Sequence, residues 1–348
     1  MRELKFAMIG AGFWSQYQLA AWGEVLGARC VAICDPVLDK AQKLANAHAV
    51  PHVFQDLHEL LDQHELDFVD IVSSVETHAP LASTAMRRGV AVICQKPLAD
   101  SLEAARGLCQ QSQDLSVPLM VHENFRWQQP IRRLKSVIDS GELGTLVRAR
   151  IDFAHSFPVF DNQPSLKLLD QFILADIGTH ILDVSRYLFG EAQELYCQTR
   201  QMRQDIRGED VATVLLRKLN GLTVTCNMSY ASHWEFDCFP QTMVAVEGTR
   251  GGVSLGRDYQ LMVFGDGQTK SEQIVIDEYA WANPEYMLAH SSMVGCHRNL
   301  LAGLRGEAPA ETTGADNLRT LELVHACYDS AASSRVVHIN PTGEKGRG

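Results

Sequence analysis

Three residue types that can move a proton or steady a developing charge stand where this chain would expose them. Lys96 follows an apolar run and precedes a proline in Cys94-Gln95-Lys96-Pro97. A lysine ammonium beside a carbinol can stabilise the oxygen as hydride departs. Pro97 would fix the turn that aims it. Further on, Asp176, His180 and Asp183 stand at i, i+4 and i+7, which places them on one helical face. Histidine is the natural base near neutral pH, and a carboxylate one turn away can orient it or contact a substrate hydroxyl. Each residue also has a plainer reading: a solvated surface lysine, a helix-capping aspartate, a histidine satisfied in the core. Taken singly, those plainer readings narrowly prevail. A metal pair is a third reading, but no further ligand stands at metal-site spacing, so no metal is expected.

Gly10-Ala11-Gly12-Phe13-Trp14-Ser15 carries a second kind of chemistry. It follows a strand-like run and opens a helical one. There the first glycine of a dinucleotide loop permits a tight turn, and the second lets the backbone approach a pyrophosphate at the helix N-terminus. The third position needs a small residue, and Ser15 is small. Asp35 ends the second strand-like run, 20 residues after Ser15, where an acidic side chain would take the ribose hydroxyls. It would repel a 2′-phosphate, and Pro36 supplies no arginine to offset that, so NAD is expected over NADP. The plainer alternatives are a glycine-rich turn and a turn or N-cap aspartate.

The elements that must position these groups divide the chain in two. Apolar runs at 4–9, 30–34, 68–72, 91–94 and 119–122 alternate with amphipathic helical segments at 13–26, 38–48, 57–64, 80–88 and 102–112. Strands apolar on both faces, alternating with helices, predict a doubly wound α/β Rossmann sheet. Ligands of such sheets bind beyond the strand carboxyl ends, which is where 75–78, 94–97 and 122–126 fall. After about residue 144 the pattern becomes α+β. A strand at 147–154 and a helix at 174–189 ended by Gly190 precede strands at 194–201, 211–219, 222–230, 241–247, 252–255, 260–264 and 273–276. These read as a largely antiparallel open sheet, with Asn220-Gly221 as a type I′ hairpin turn. Helices at 286–304 and 316–333 close the chain. The expected domains are 1–125 for the dinucleotide and 126–348 for substrate and assembly. A sheet covered on one face leaves the other for a subunit contact.

Composition narrows the function classes. The formal net charge is −11, from 31 basic and 42 acidic residues, which disfavours a nucleic-acid partner. Arg132, Arg133 and Lys135 read as a solvated helix face. Nine cysteines, Cys238 among them, form no CxxC pair, so neither a zinc ribbon nor a disulfide framework is indicated. No apolar stretch approaches the ~20 residues of a membrane helix, and no signal peptide is evident. A cytoplasmic protein without a membrane partner is expected.

With these segments in order, the chain resembles the Gfo/Idh/MocA oxidoreductases nearly end to end. The resemblance is carried by the loop at 10–15, Gln95-Lys96-Pro97, Asn124-x-Arg126-x-x-x-Pro130, the helix 176–183 and the closing helix 317–330. It implies an NAD-dependent oxidation of a sugar or cyclitol hydroxyl. Lys96, Asp176 and His180 would be the catalytic set, with His180 the base, Lys96 polarising the oxygen, and Asp176 orienting one of them or a sugar hydroxyl. Gly10, Gly12, Phe13, Trp14, Asp35, Thr77, His78, Gln95 and Lys96 would bind the cofactor, and Arg126 and Asp183 would contact substrate. The family's open sheet implies a homodimer or homotetramer. The segments at 12–18, 75–80, 93–97 and 121–127 look like the branch containing D-apiose dehydrogenases, which oxidise a branched pentose at its anomeric carbon. Two departures stand out: Gln95 replaces glutamate and Ser15 replaces glycine. Two other functions stay open: reduction of a non-sugar carbonyl or imine, and a non-catalytic NAD-sensing regulator. Retention of Lys96, Asp176 and His180 together argues against the regulator.

Overall fold

The computed structural model describes residues 2–233 and 239–339, so Cys238 and the end of the polar tail lie outside it. The chain packs as two compact units, residues 1–124 with 278–321 and residues 125–277 with 322–348.

In the first unit, strands and helices alternate: β1 (Leu4–Ile9), α1 (Phe13–Gly23), β2 (Ala28–Cys34), α2 (Leu38–His48), β3 (His52–Phe54), α3 (Leu57–Gln63), β4 (Phe68–Ile71), α4 (Val75–Arg87), β5 (Ala91–Gln95), α5 (Leu102–Leu115) and β6 (Leu119–His122). The six strands pair in parallel in the order β3-β2-β1-β4-β5-β6. That order reverses between β1 and β4, and the crevice beyond their carboxyl ends is where such sheets bind ligands. Apart from Asp70, the central strands are apolar and buried from Phe6 in β1 and along all of β4, because a parallel sheet is covered on both faces. Ala7, Ile9, Val69, Ile71, Val92, Cys94 and Val121 form the middle of one core with Leu108 and Met86. Two details differ from the sequence reading. β3 is a three-residue edge strand too short to show alternation. Helix α4 begins at Val75, five residues before Pro80, which sits inside it.

In the second unit, α6 (Gln129–Asp139), β7 (Leu146–Ala154), α7 (Val159–Asn162) and α8 (Thr179–Phe189) precede β8 (Ala192–Arg200), β9 (Val211–Lys218), β10 (Thr223–Ser229), β11 (Met243–Gly248), β12 (Gly251–Leu255), β13 (Gln260–Gly265) and β14 (Gln268–Gln273). The sheet has nine strands in the order β14-β13-β12-β11-β7-β10-β9-β8-β15, the last being Val337–His338. It is mixed: β7 pairs parallel with β10, and the other pairs are antiparallel. One row across it, Cys197–Val214–Cys226–Ile151–Val244–Leu255–Leu261, is at most 2% exposed, which makes this the core face. The β9–β10 hairpin forms as expected, but only Gly221 takes a positive φ, +85°. A type I′ turn needs two such residues, so the turn is of another kind. The strand expected at 273–276 lies earlier, at 268–273, turning on Asp266-Gly267.

Helix α9 (Met287–Leu304) and the first part of α10 (Gly314–Ser333) belong to the first unit. The sequence pattern alone places everything after residue 125 in the second domain, whereas 278–321 pack with the first unit. The return is built from α9 packing on α1 and β6. No helix among the described residues is long and apolar enough to cross a membrane.

Candidate active site

The glycine loop is held from both sides. Gly10 has φ +107°, and a Cβ there would come within 2.4 Å of the Val72 carbonyl oxygen, so only glycine fits. A Cβ on Gly12 would meet nothing within 4 Å, which leaves the backbone at the head of α1 open to a phosphate group. Ser15 is fully buried. Its hydroxyl accepts the Gly12 N–H at 3.1 Å and donates to the Val72 carbonyl at 3.3 Å, so serine keeps helix and strand close as a third glycine would. Asp35 accepts the Ala11 N–H and the Val37 N–H, each at 2.8 Å. It braces the loop as a turn aspartate does, and a carboxylate with about four lone-pair sites retains capacity for two ribose hydroxyls. These features fit a dinucleotide. Phe13 and Trp14 offer backbone N–H groups at the helix head, while their rings pack edge-on against Tyr17 and Tyr286.

Around Lys96 the first unit builds a continuous polar chain. The Lys96 N–H donates to the Gln95 side-chain oxygen at 3.0 Å. The Gln95 amide lies 2.7 Å from the Gln18 oxygen, to which it donates, and 3.2 Å from His122 Nδ1. Gln18 in turn donates to Asp70 at 2.7 and 2.9 Å, and Trp22 Nε1 donates to the same carboxylate at 2.7 Å. Asp70 is fully buried, and that burial pushes its carboxyl up to about 6, against the pull of the Trp22 and Gln18 hydrogen bonds. The Lys96–Pro97 peptide is cis. The Pro97 carbonyl lies 2.8 Å from His78 Nδ1, and the Ser73 carbonyl lies 3.2 Å from Nε2. Burial holds His78 below the usual imidazole range, against the pull of those two carbonyls. Thr77 donates to the Ser74 carbonyl at 2.7 Å and lies 2.7 Å from the Ser73 hydroxyl. Gln18 and Asp70 were not singled out from the sequence. The available signal was a carboxylate inside the apolar run Phe68-Val-Asp-Ile-Val, which a buried parallel strand tolerates only if its charge is satisfied.

The second unit carries Asp176, His180 and Asp183. Leu174–Gly178 is a wide, π-type turn that runs into α8, so the helical face expected from even spacing is offset between Asp176 and His180. Such turns recur at functional sites. Asp176 is partly exposed, and its N–H bonds the Phe172 carbonyl at 2.8 Å. His180 is 5% exposed and lies flat on the Phe125 ring, centroids 3.9 Å apart and planes 7° apart. Arg126 and Asp183 come together as a buried two-pronged ion pair, Nε to Oδ2 at 2.8 Å and Nη2 to Oδ1 at 2.5 Å. Among the described residues no cluster of three or more acidic, histidine or cysteine side chains could hold a metal ion.

Residues 4–123 match the model of an oxidoreductase family with an NAD-binding Rossmann fold, and residues 131–254 match the GFO/IDH/MocA C-terminal domain. A D-apiose dehydrogenase of Paraburkholderia graminis is 38% identical, covering 97% of this chain and 90% of that protein. One from Rhizobium rhizogenes is 37% identical, covering 97% and 98%. The crystal structure of an Agrobacterium radiobacter oxidoreductase with NAD+, L-tartaric acid and magnesium superposes with a TM-score of 0.95, at 36% identity and 97% and 98% coverage.

Proposed function

The chain belongs to the Gfo/Idh/MocA oxidoreductase family, and from that premise we propose that it oxidises a sugar hydroxyl with NAD, its substrate being an aldose such as D-apiose attacked at the anomeric carbon. What carries this reading is the likeness to two D-apiose dehydrogenases along nearly the whole chain, with Lys96, Asp176 and His180 retained together. NAD, when bound, supplies the hydride acceptor. His180 takes the hydroxyl proton, and its stack on Phe125 fixes the ring plane for that transfer. Lys96 steadies the oxygen as the carbonyl of a lactone forms. Asp176 orients the imidazole or a second sugar hydroxyl. Arg126 and Asp183 pair with each other, and Arg186 lies 3.9 Å from the same carboxylate, so their part is to hold α8 in place. Asp35 selects NAD by repelling a 2′-phosphate.

Seven of the described cysteines are buried as thiols, which suits a reducing cytoplasm. The open face of the nine-stranded sheet suits a homodimer or homotetramer.

Purified protein tested against aldoses, polyols and inositols with NAD and NADP, by absorbance of the reduced nicotinamide, is expected to favour D-apiose and NAD. Lys96→Ala and His180→Ala should each lower kcat by ~10²–10⁴-fold, with NAD affinity kept in His180→Ala. Wild-type turnover in both variants would end the proposal, and preference for a non-sugar carbonyl would redirect it.

A further inference from the structure

Five successive backbone N–H groups open the wide turn that carries Asp176, and the start of a helix leaves such donors without partners of its own. Phe172 and Leu174 are fully buried, so water is no substitute there. The Glu209 carboxylate accepts the Phe172 N–H at 3.3 and 3.2 Å and the Leu174 N–H at 3.2 Å. Its main-chain carbonyl accepts the Ile173 N–H at 3.0 Å. The Tyr328 hydroxyl accepts the Ala175 N–H at 3.1 Å and donates to Glu209 at 2.8 Å. The fifth donor, Asp176, bonds back to Phe172. Four of the five are therefore held by two side chains and one carbonyl, none of them from the helix itself.

We infer that Glu209 and Tyr328 are positioning residues for Asp176 and His180, clamping the wide turn that sets the angle between the two. This rests on the catalytic roles proposed above. A π-type turn is rare and occurs mostly as a single turn within a helix, and the N–H donors at its head that the helix cannot satisfy must be met from outside. Here the holders are themselves anchored. Asp210, next to Glu209, accepts the Met202 and Arg203 N–H groups at 2.6 and 3.2 Å. A Cβ at Gly208 would come within 2.8 Å of the Leu169 carbonyl oxygen and 2.9 Å of the Phe172 nitrogen, so glycine lets this loop close on the turn. Tyr328 comes from α10, so the clamp joins two separate elements. The carboxylate also sits at the positive end of the turn and of α8, where negative charge is favoured. The Tyr328 proton stays in place, because burial and then Glu209 raise that phenol well above its usual range.

Tyr328→Phe and Glu209→Ala are expected to lower kcat about 10-fold or more, since a displacement on the order of 1 Å in a catalytic group can cost 10²-fold. KM for NAD should stay unchanged and the pH profile of kcat should shift. Glu209→Gln, which keeps an acceptor oxygen, should restore most of the activity. Independently of turnover, Ala175 amide exchange should quicken and the His180 imidazole titration should move by NMR. Folded variants with wild-type kcat and pH profile would overturn the clamp. So would losses that merely track the folded fraction. Should Asp176→Ala and His180→Ala keep their turnover, the catalytic reading falls instead. The clamp is then judged by Ala175 exchange and the His180 titration: movement of both supports it, and no movement overturns it.

Discussion

Gln95 stands where the family motif has glutamate, and its neighbours explain why an amide serves here. It donates to the Gln18 oxygen, and Gln18 spends its own amide on Asp70. A carboxylate at 95 would set an acceptor against the Gln18 oxygen with no proton between them. Gln18 could not turn over without withdrawing two bonds from a buried, partly charged Asp70. Gln95→Glu should therefore destabilise the fold by ~1–3 kcal/mol, the cost of an unsatisfied buried polar contact, read by urea unfolding. Adding Asp70→Asn should recover part of the loss, because Gln18 is then free to turn. A Gln95→Glu protein as stable as the parent would refute this account. Lys96 was legible in the sequence because its flanks are local. The chain behind it was not, since Gln18, Asp70 and Gln95 are brought together by three different elements.

At the scale of the element, α8 is held along its length. The clamp lies before it, Phe125 and Arg126 grip its middle, and Lys218 closes its end. Lys218 is fully buried, and its ammonium donates to the Ser185 carbonyl at 3.0 Å and the Gly190 carbonyl at 2.8 Å, where a helix end favours positive charge. Desolvation lowers its pKa from 10.5 to about 8. Between those values the unfolded chain still binds a proton that the folded chain has released. Unfolding free energy thus rises with pH across that window, by roughly 3 kcal/mol at most. Buried thiols such as Cys226, raised by burial to about 12, act in the opposite sense above pH 9. The measurement is therefore the stability of the parent minus that of Lys218→Met from pH 7.5 to 10.5, expected to climb, and a flat difference would discard the assignment. Helix α8 and its Gly190 terminus were readable from periodicity and a stop signal. The wide turn was not, because a spacing argument assumes one pitch throughout. β14 escaped for a related reason: all six of its residues are exposed, so no apolar alternation marks it, and only Asp266-Gly267 announces the hairpin.

At the scale of the whole molecule, the second sheet turns one face to its core and leaves the other without cover from its own unit. The open row runs Tyr196–Leu215–Thr225–Arg150–Ala245–Ser254–Met262. Leu215 and Met262 are 45% and 37% exposed, and Phe264, two residues on from Met262, is 44% exposed. Nine strands at ~4.8 Å spacing are roughly 40 Å wide, and strands of this length run ~20 Å. One such face offers about 800 Å², close to what each partner buries in a standard interface. The mixed lining of leucine, methionine, phenylalanine, threonine and arginine fits a face that is wet while the chain folds and dry once paired. Light scattering coupled to size exclusion should find two or four chains per particle. Leu215→Arg combined with Met262→Arg should yield single chains, because identical surfaces meeting across a two-fold axis double each introduced charge. Both substitutions lie on the sheet, not in the glycine loop, so NAD affinity should survive and separate loss of assembly from loss of fold. A parent protein that runs as one chain at micromolar concentration would leave this face without a partner of its own kind.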